Sequence, residues 1–403
     1  MKKVDVEKIL FFNLLLISMF PLLPKAAESI LMMLFFLLSL IVIIKKRETI
    51  KKPKIKSLFI ISSVFVIYLM SSFYSENNKE NVNFLIRVIP ILMFPLSIGL
   101  LPASIVTSNR LRTIKIVYIS SVFISLLFAH IQLKSNFYIS QWEYRNSFED
   151  LKKVHGTYFS LWIGFSVLII INDYVISYYK GKNSLKVLLA LLMTSYLIYW
   201  QITINARLPL FVTLLLLTII SFKTLEIKKQ IYIYSFIIIT VLLTFYLNFE
   251  LIKEKVKFNL PEGKYELNHK TMSSEEIRAG IYYCSTSLIK KSWIYGYGIG
   301  DVNDQLNLCY KSKINSDVYQ IFHYNSHNQY IQIFLAGGII GLLYFLFNIY
   351  YVLKKSIVRK DNVFIMFNVL LIICFLTENI LSRHDGILFY SFFSSIFFYY
   401  KKT

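Results

Sequence analysis

The sequence predicts an all-α integral membrane protein of about twelve transmembrane helices, with both termini cytoplasmic and a large, partly helical loop capping the outer face. Three observations carry that expectation. Of 403 residues, 56% are hydrophobic and only 17% charged, and the apolar residues come in blocks close to the roughly 20 that a helix needs to cross a hydrocarbon core of about 30 Å. The net charge of +21 is concentrated in alternate connections. One connection, 249–326, is far longer and more polar than the others.

The blocks place spans near 9–23, 30–44, 57–73, 83–101, 116–133, 157–178, 187–205, 208–222, 231–248, 328–352, 363–378 and 387–400. A barrel is excluded, because its strands would alternate every second residue. With the N-terminus inside, nearly all of the excess Lys and Arg falls on cytoplasmic segments, most densely in KKRETIKKPKIK at 45–56. That is the positive-inside pattern, so the charge reads as topology and contact with anionic membrane lipids, with no nucleic acid partner. The start, MKK with an apolar block and PKAAES, looks superficially like a signal peptide. It lacks an A-x-A site and its apolar block is long, so it is expected to stay as the first helix.

The chain divides into nine helices over 1–248, a cap loop over 249–326 and three helices over 327–403. Ten Lys/Arg and nine Asp/Glu make the cap polar enough to fold in water. Within it, SSEEIRAGIYYCSTSLIKKSW reads as an amphipathic helix: Ser273 and Glu276 have capping-box spacing, and Ile277, Ile281, Cys284 and Leu288 make an apolar stripe with Arg278 beside it. Cys284 and Cys309 lie in the same loop and can pair, whereas Cys374 reads as an apolar filler. WIYGYGIGDV at 293–302 is not a nucleotide fingerprint, since its spacing is G-x-G-x-G. It reads as a turn bringing backbone close to a ligand or to the bundle. Gly337 and Gly341 form a G-x-x-x-G pair suited to close helix packing.

Candidate functional residues are the polar groups at the outer ends of spans. Arg207 sits in the short turn between the seventh and eighth spans, and Arg87 lies about one turn into the fourth. The loop at 134–156 supplies Arg145 and His155. The exit of the cap, FHYNSHNQY, supplies His323, His327 and Asn328, and the last outer turn, TENILSRHDG, supplies Glu378 and Asp385. Two histidines four apart without a third ligand make a poor metal site, so neither metal nor cofactor is expected. A neutral imidazole is better suited to taking a proton from a hydroxyl.

Three stretches, SHNQYIQIFLAGGIIGLL at 326–343, RAGIYYCSTSLIKKSWIYGYGIGD at 278–301 and NARLPLFVTLLLL at 205–217, together with the order of spans, resemble the O-antigen ligase and O-antigen polymerase family of bacterial membrane glycosyltransferases. The resemblance implies an inner-membrane enzyme working on the periplasmic face. Its donor would be a glycan linked through diphosphate to undecaprenol, and its acceptor a lipid A-core or another glycan. It also implies His327 as catalytic base and Arg207 and Arg278 as catalytic diphosphate-binding residues. Arg87, Arg145, His323, Asn328, Glu378 and Asp385 are the further candidates for binding substrate. In place of the Ser-Arg common in that family this chain has Ala206-Arg207. A ligase is the first expectation and a polymerase the second. A secondary transporter fits less well, because its long connection would be cytoplasmic and its key charges near the bilayer midplane.

Overall fold

The computed structural model describes residues 6–45, 55–134, 141–177, 184–226, scattered positions from 230 to 246, 274–314 and 316–400. Among the described residues helix is the regular structure throughout, and no strand occurs. In chain order the helices are α1 (Val6–Ser18), α2 (Lys25–Lys45), α3 (Ile55–Ile61), α4 (Ser63–Ser72), α5 (Asn78–Val88), α6 (Pro90–Leu100), α7 (Ser108–Lys134), α8 (Gln141–Lys152), α9 (Gly156–Ile170), α10 (Ser184–Ile204) and α11 (Arg207–Thr224). The cap contributes α12 (Ser274–Lys291), α13 (Val302–Lys313) and α14 (Asp317–Phe322), and the bundle closes with α15 (Gln329–Val358), α16 (Asn362–Cys374) and α17 (His384–Tyr399).

Seven helices or helix pairs among the described residues are long and apolar enough to cross a membrane, fewer than the twelve spans expected. The shortfall has physical causes. The third expected span is broken at Ser62 into α3 and α4, α1, α16 and α17 are only 13, 13 and 16 residues long, and the ninth expected span lies largely outside the described residues. Ser273, the expected cap of α12, also lies outside them.

Every residue of α9 except Thr157 is buried, which makes it the central helix, and α17 is buried along nearly its whole length. Phe165, Phe367, Phe389, Phe393 and Phe397 interlock between α9, α16 and α17, with ring centroids 5.0 to 6.1 Å apart around Phe165. Such edge-to-face rings fill a helix interface with rigid side chains.

The glycine segment of the cap is built into the bundle. Helix α15 is interrupted at Gly338, whose φ of 62° and ψ of −161° are not helical. The carbonyls of Leu335 and Ala336, released by the break, accept the N–H groups of Tyr297 (2.7 Å) and Gly298 (3.1 Å), and the Ile339 N–H donates to the Trp293 carbonyl (2.9 Å). A broken helix at membrane depth is tolerated only where protein satisfies the freed backbone groups, and here residues 293–298 do so. Gly296 and Gly298 have φ of 74° and 83°, and a Cβ on Gly296 would come within 2.5 Å of the Leu335 carbonyl oxygen. Downstream, the Asp301 carboxylate accepts the N–H groups of Glu76 and Asn77, both at 2.8 Å, and the Ser75 hydroxyl at 3.0 Å. The expected approach of this turn to the bundle is therefore met. Gly337 and Gly341 do pack closely, each Cβ position lying 3.0 or 3.1 Å from the Ile67 side chain of α4. Cys284 and Cys309 form a disulfide joining α12 to α13, with Cα atoms 5.8 Å apart, and Cys374 is free and buried.

Candidate active site

The tight turn Ile204–Asn205–Ala206 joins α10 to α11 and begins the second helix at Arg207, with Asn205 at a φ of 55°. Ala206, at the N-cap, provides no side-chain cap, so the first N–H groups of α11 remain available to an anion. On α12, Ile281, Cys284 and Leu288 are buried as the apolar stripe requires, and Arg278 is left on its flank. His327 ends the cap in a left-handed conformation (φ 42°), its N–H donating to Asn325 Oδ1 at 3.0 Å.

These three side chains, 120 residues apart between Arg207 and His327, line one cavity of about 440 Å³ together with Arg145, His155, Tyr324 and Glu378. The N-termini of α9, α11 and α15 all lie at this cavity or within two residues of it. Their partial positive charge adds to that of the three arginines.

Glu378 is 6% exposed, and its Oε1 lies 3.6 Å from His327 Nδ1. That separation is long for a hydrogen bond but short for electrostatic attraction. Burial alone would raise the Glu378 carboxyl. His327, then His155 and Arg383, outweigh burial and hold it below the usual carboxylate range. Glu378 is thus an anion at neutral pH, facing one nitrogen of the ring. The turn that carries it is locked to the His327 segment by a buried polar layer, in which Asn379 Nδ2 donates to Gln332 Oε1 (3.1 Å) and Ser326 Oγ (3.0 Å). Gln329 extends this layer, donating to the Tyr68 hydroxyl (2.9 Å) and accepting the Leu381 N–H (2.8 Å).

Arg145 is held by Glu149, whose Oε1 accepts its Nε–H at 2.8 Å and also the Gly156 N–H at 2.8 Å. His155 caps α9, its Nδ1 accepting the Thr157 N–H at 3.4 Å. Burial pushes the His155 imidazole below its ordinary value, against the attraction of Glu149 and Glu378 and with a smaller contribution from Arg145 and Arg383. A base depressed in this way binds fewer protons folded than unfolded. Its stability contribution is therefore complete above about pH 6.5, the ordinary imidazole value, and is lost as the pH falls below it. Thermal unfolding of solubilised protein should show a midpoint that drops on acidification. His155→Asn, which keeps a capping oxygen, should flatten the drop; an equal slope in the variant would place its origin elsewhere.

The other expected site residues are distributed differently. Arg87 and Asp385 line a neighbouring cavity. His323 is exposed at the end of α14 with φ 46° and is not in the wall of either cavity. Asn328 caps α15, its Oδ1 accepting the N–H groups of Tyr330 (2.9 Å) and Ile331 (3.1 Å) while its Nδ2 donates to the Leu376 carbonyl (3.0 Å). Both were expected to bind substrate, and neither reaches the cavity: the left-handed turn carries one ring outward, and capping occupies the other amide. Tyr324 and Thr157 in the cavity wall, and Glu149 behind Arg145, carried no signal in the sequence.

Residues 183–346 match a family model described as O-antigen ligase. Over that segment the chain is similar to the O-antigen ligase family. The matched segment holds Arg207, Arg278 and His327, whereas Arg145, His155 and Glu378 of the same cavity come from outside it. No curated protein matches the chain.

Proposed function

We propose that the protein is a twelve-helix bacterial inner-membrane glycosyltransferase, with both termini cytoplasmic. On its periplasmic face it joins an undecaprenyl-diphosphate-linked O-antigen, or a similar polysaccharide, to a lipid A-core acceptor. The observation that carries this reading is the convergence of Arg207, Arg278 and His327 on one cavity, with the buried Glu378 carboxylate beside the imidazole.

In that reading Arg207 and Arg278 grip the diphosphate, guanidinium forks matching phosphate oxygens in two-point hydrogen bonds. With the ring proton on Nδ1 toward Glu378, Nε2 of His327 is the base, an arrangement in which a carboxylate orients an imidazole. An acceptor hydroxyl oxygen attacks the anomeric carbon as its proton passes to Nε2. The bond from that carbon to the diphosphate oxygen breaks, and its electron pair leaves with polyprenyl diphosphate. Direct displacement inverts the anomeric centre. Negative charge grows on the leaving diphosphate, where the arginines and the uncapped start of α11 stabilise it most.

Purified protein given a polyprenyl-diphosphate glycan and an acceptor should release polyprenyl diphosphate at a rate that excess chelator does not alter. No release with any acceptor would overturn the proposal. Arg207→Lys and Arg278→Lys should each lower kcat by about 10²-fold, because one point charge replaces a fork. A change confined to KM would instead assign the arginines to binding alone. Within the family reading, loss of the gene separates ligase from polymerase: lipopolysaccharide without any attached glycan is expected, and a core bearing one repeat unit would identify a polymerase.

A further inference from the structure

Beside the first cavity lies a second, of about 580 Å³, with His155 in the wall common to both. Its cations are Lys25, Arg87, Lys153 and Arg383, and its acids are Glu149, Asp150 and Asp385. The acids are largely committed elsewhere. Glu149 Oε1 holds Arg145 and the Gly156 N–H, Asp385 Oδ2 pairs with Lys25 at 3.2 Å, and the Asp150 side chain is 84% exposed beside Lys153. Arg87 makes one long hydrogen bond, Nη1 to the Ser382 carbonyl at 3.4 Å, and lies over the Phe84 ring at 5.7 Å, and the Arg383 guanidinium has no ion-pair partner among the described residues. Two guanidinium forks with no carboxylate at ion-pair distance among the described residues therefore face one hollow. Helices α2 and α17 both start at its wall, with Lys25 and His384, and their N-termini favour an anion there. His384 is itself tied to Glu28 of α2, Nε2 to Oε2 at 2.6 Å. Asp385 is 4% exposed, and its second oxygen has no hydrogen-bond partner, an arrangement that costs free energy unless a donor supplies the missing bond.

We propose that this second cavity seats the acceptor glycan through a phosphorylated sugar, with Arg87 and Arg383 on the phosphate and Asp385 accepting from a sugar hydroxyl. The assignment rests on the transferase reading above. It separates the two substrates: donor diphosphate sits on the Arg207 and Arg278 side, and acceptor phosphate on the Arg87 and Arg383 side. His155, in the wall common to both cavities, marks the side from which an acceptor hydroxyl would approach His327. A phospholipid headgroup offers the same phosphate chemistry at this rim, so the test distinguishes the two sources.

Phosphorylated core oligosaccharide released from lipopolysaccharide, and the same oligosaccharide after phosphatase treatment, would be titrated into the full chain in phosphatidylcholine discs. The phosphorylated form should bind at least about tenfold more tightly, as expected for one charge-assisted pair. Arg383→Gln and Arg87→Gln should each erase that preference, while His327→Ala keeps it. In transfer assays the two arginine variants should raise the acceptor KM about tenfold and leave the donor KM unchanged. Equal binding of the two oligosaccharides would overturn the proposal. So would a donor KM that rises with the acceptor KM, or a preference that disappears in phosphatidylglycerol-containing discs, which would make a headgroup the occupant. If the preference and its loss in the variants hold but wild-type protein never releases polyprenyl diphosphate, the site stands and the transferase reading fails.

Discussion

His327→Ala should reduce the release of polyprenyl diphosphate by about 10² to 10⁴-fold, the usual contribution of a positioned general base, with little change in the folded population. The imidazole is half-buried at a loop end, and its Nδ1 makes no hydrogen bond within the protein, so its removal breaks little of the structure. Glu378→Gln should have a smaller effect of the same kind, about tenfold, because the isosteric amide keeps the packing and removes the charge that orients the ring. Single-turnover release from a radiolabelled donor measures both. A His327→Ala enzyme with unaltered kcat would remove the imidazole from the chemistry, and a Glu378→Gln enzyme more impaired than His327→Ala would reverse their order of importance.

Gly338→Ala should destabilise the protein by more than about 3 kcal/mol, the sum of a glycine-only backbone conformation and a clash with rigid atoms. At φ 62° and ψ −161° the residue occupies a region closed to side chains. The added Cβ would stand 1.9 Å from the Ile294 carbonyl oxygen and 2.3 Å from its carbon. Both are backbone atoms, so no rotamer change relieves the contact. Gly337→Ala is the control: its Cβ meets only Ile67 Cγ2 at 3.0 Å, a side-chain end that can shift, and should cost about 1 kcal/mol or less. Thermal unfolding and the monodisperse fraction in detergent report both. Equal behaviour of the two variants would show that the interruption of α15 is dispensable.

The sequence disclosed which residues meet at this cavity more fully than the geometry that holds them. Arg207 and His327 were legible because each sits at the end of an apolar block, where a charge has few structural reasons to be kept, Arg278 because it flanks the apolar stripe of α12, and all three because their flanking stretches resemble a family. The stripe of α12 was legible from its period, and the disulfide partners from their shared loop. The interruption of α15 was not. An apolar run with two adjacent glycines reads alike whether the glycines pack against a neighbour or open the backbone, and only the inserted residues 293–298 distinguish the two. The roles of Asn328 and Glu149 were hidden for a related reason: capping a helix or holding an arginine depends on partners that spacing does not reveal. The span count fell short where blocks of suitable length contained a break, as at Ser62.

The interruption also makes two distant stretches of the chain depend on each other. Around Gly338 the longest helix depends on residues 293–298, made earlier on the chain, to satisfy the Leu335 and Ala336 carbonyls and the Ile339 N–H. Damage to either the 293–298 turn or the broken stretch of α15 should therefore be felt in both.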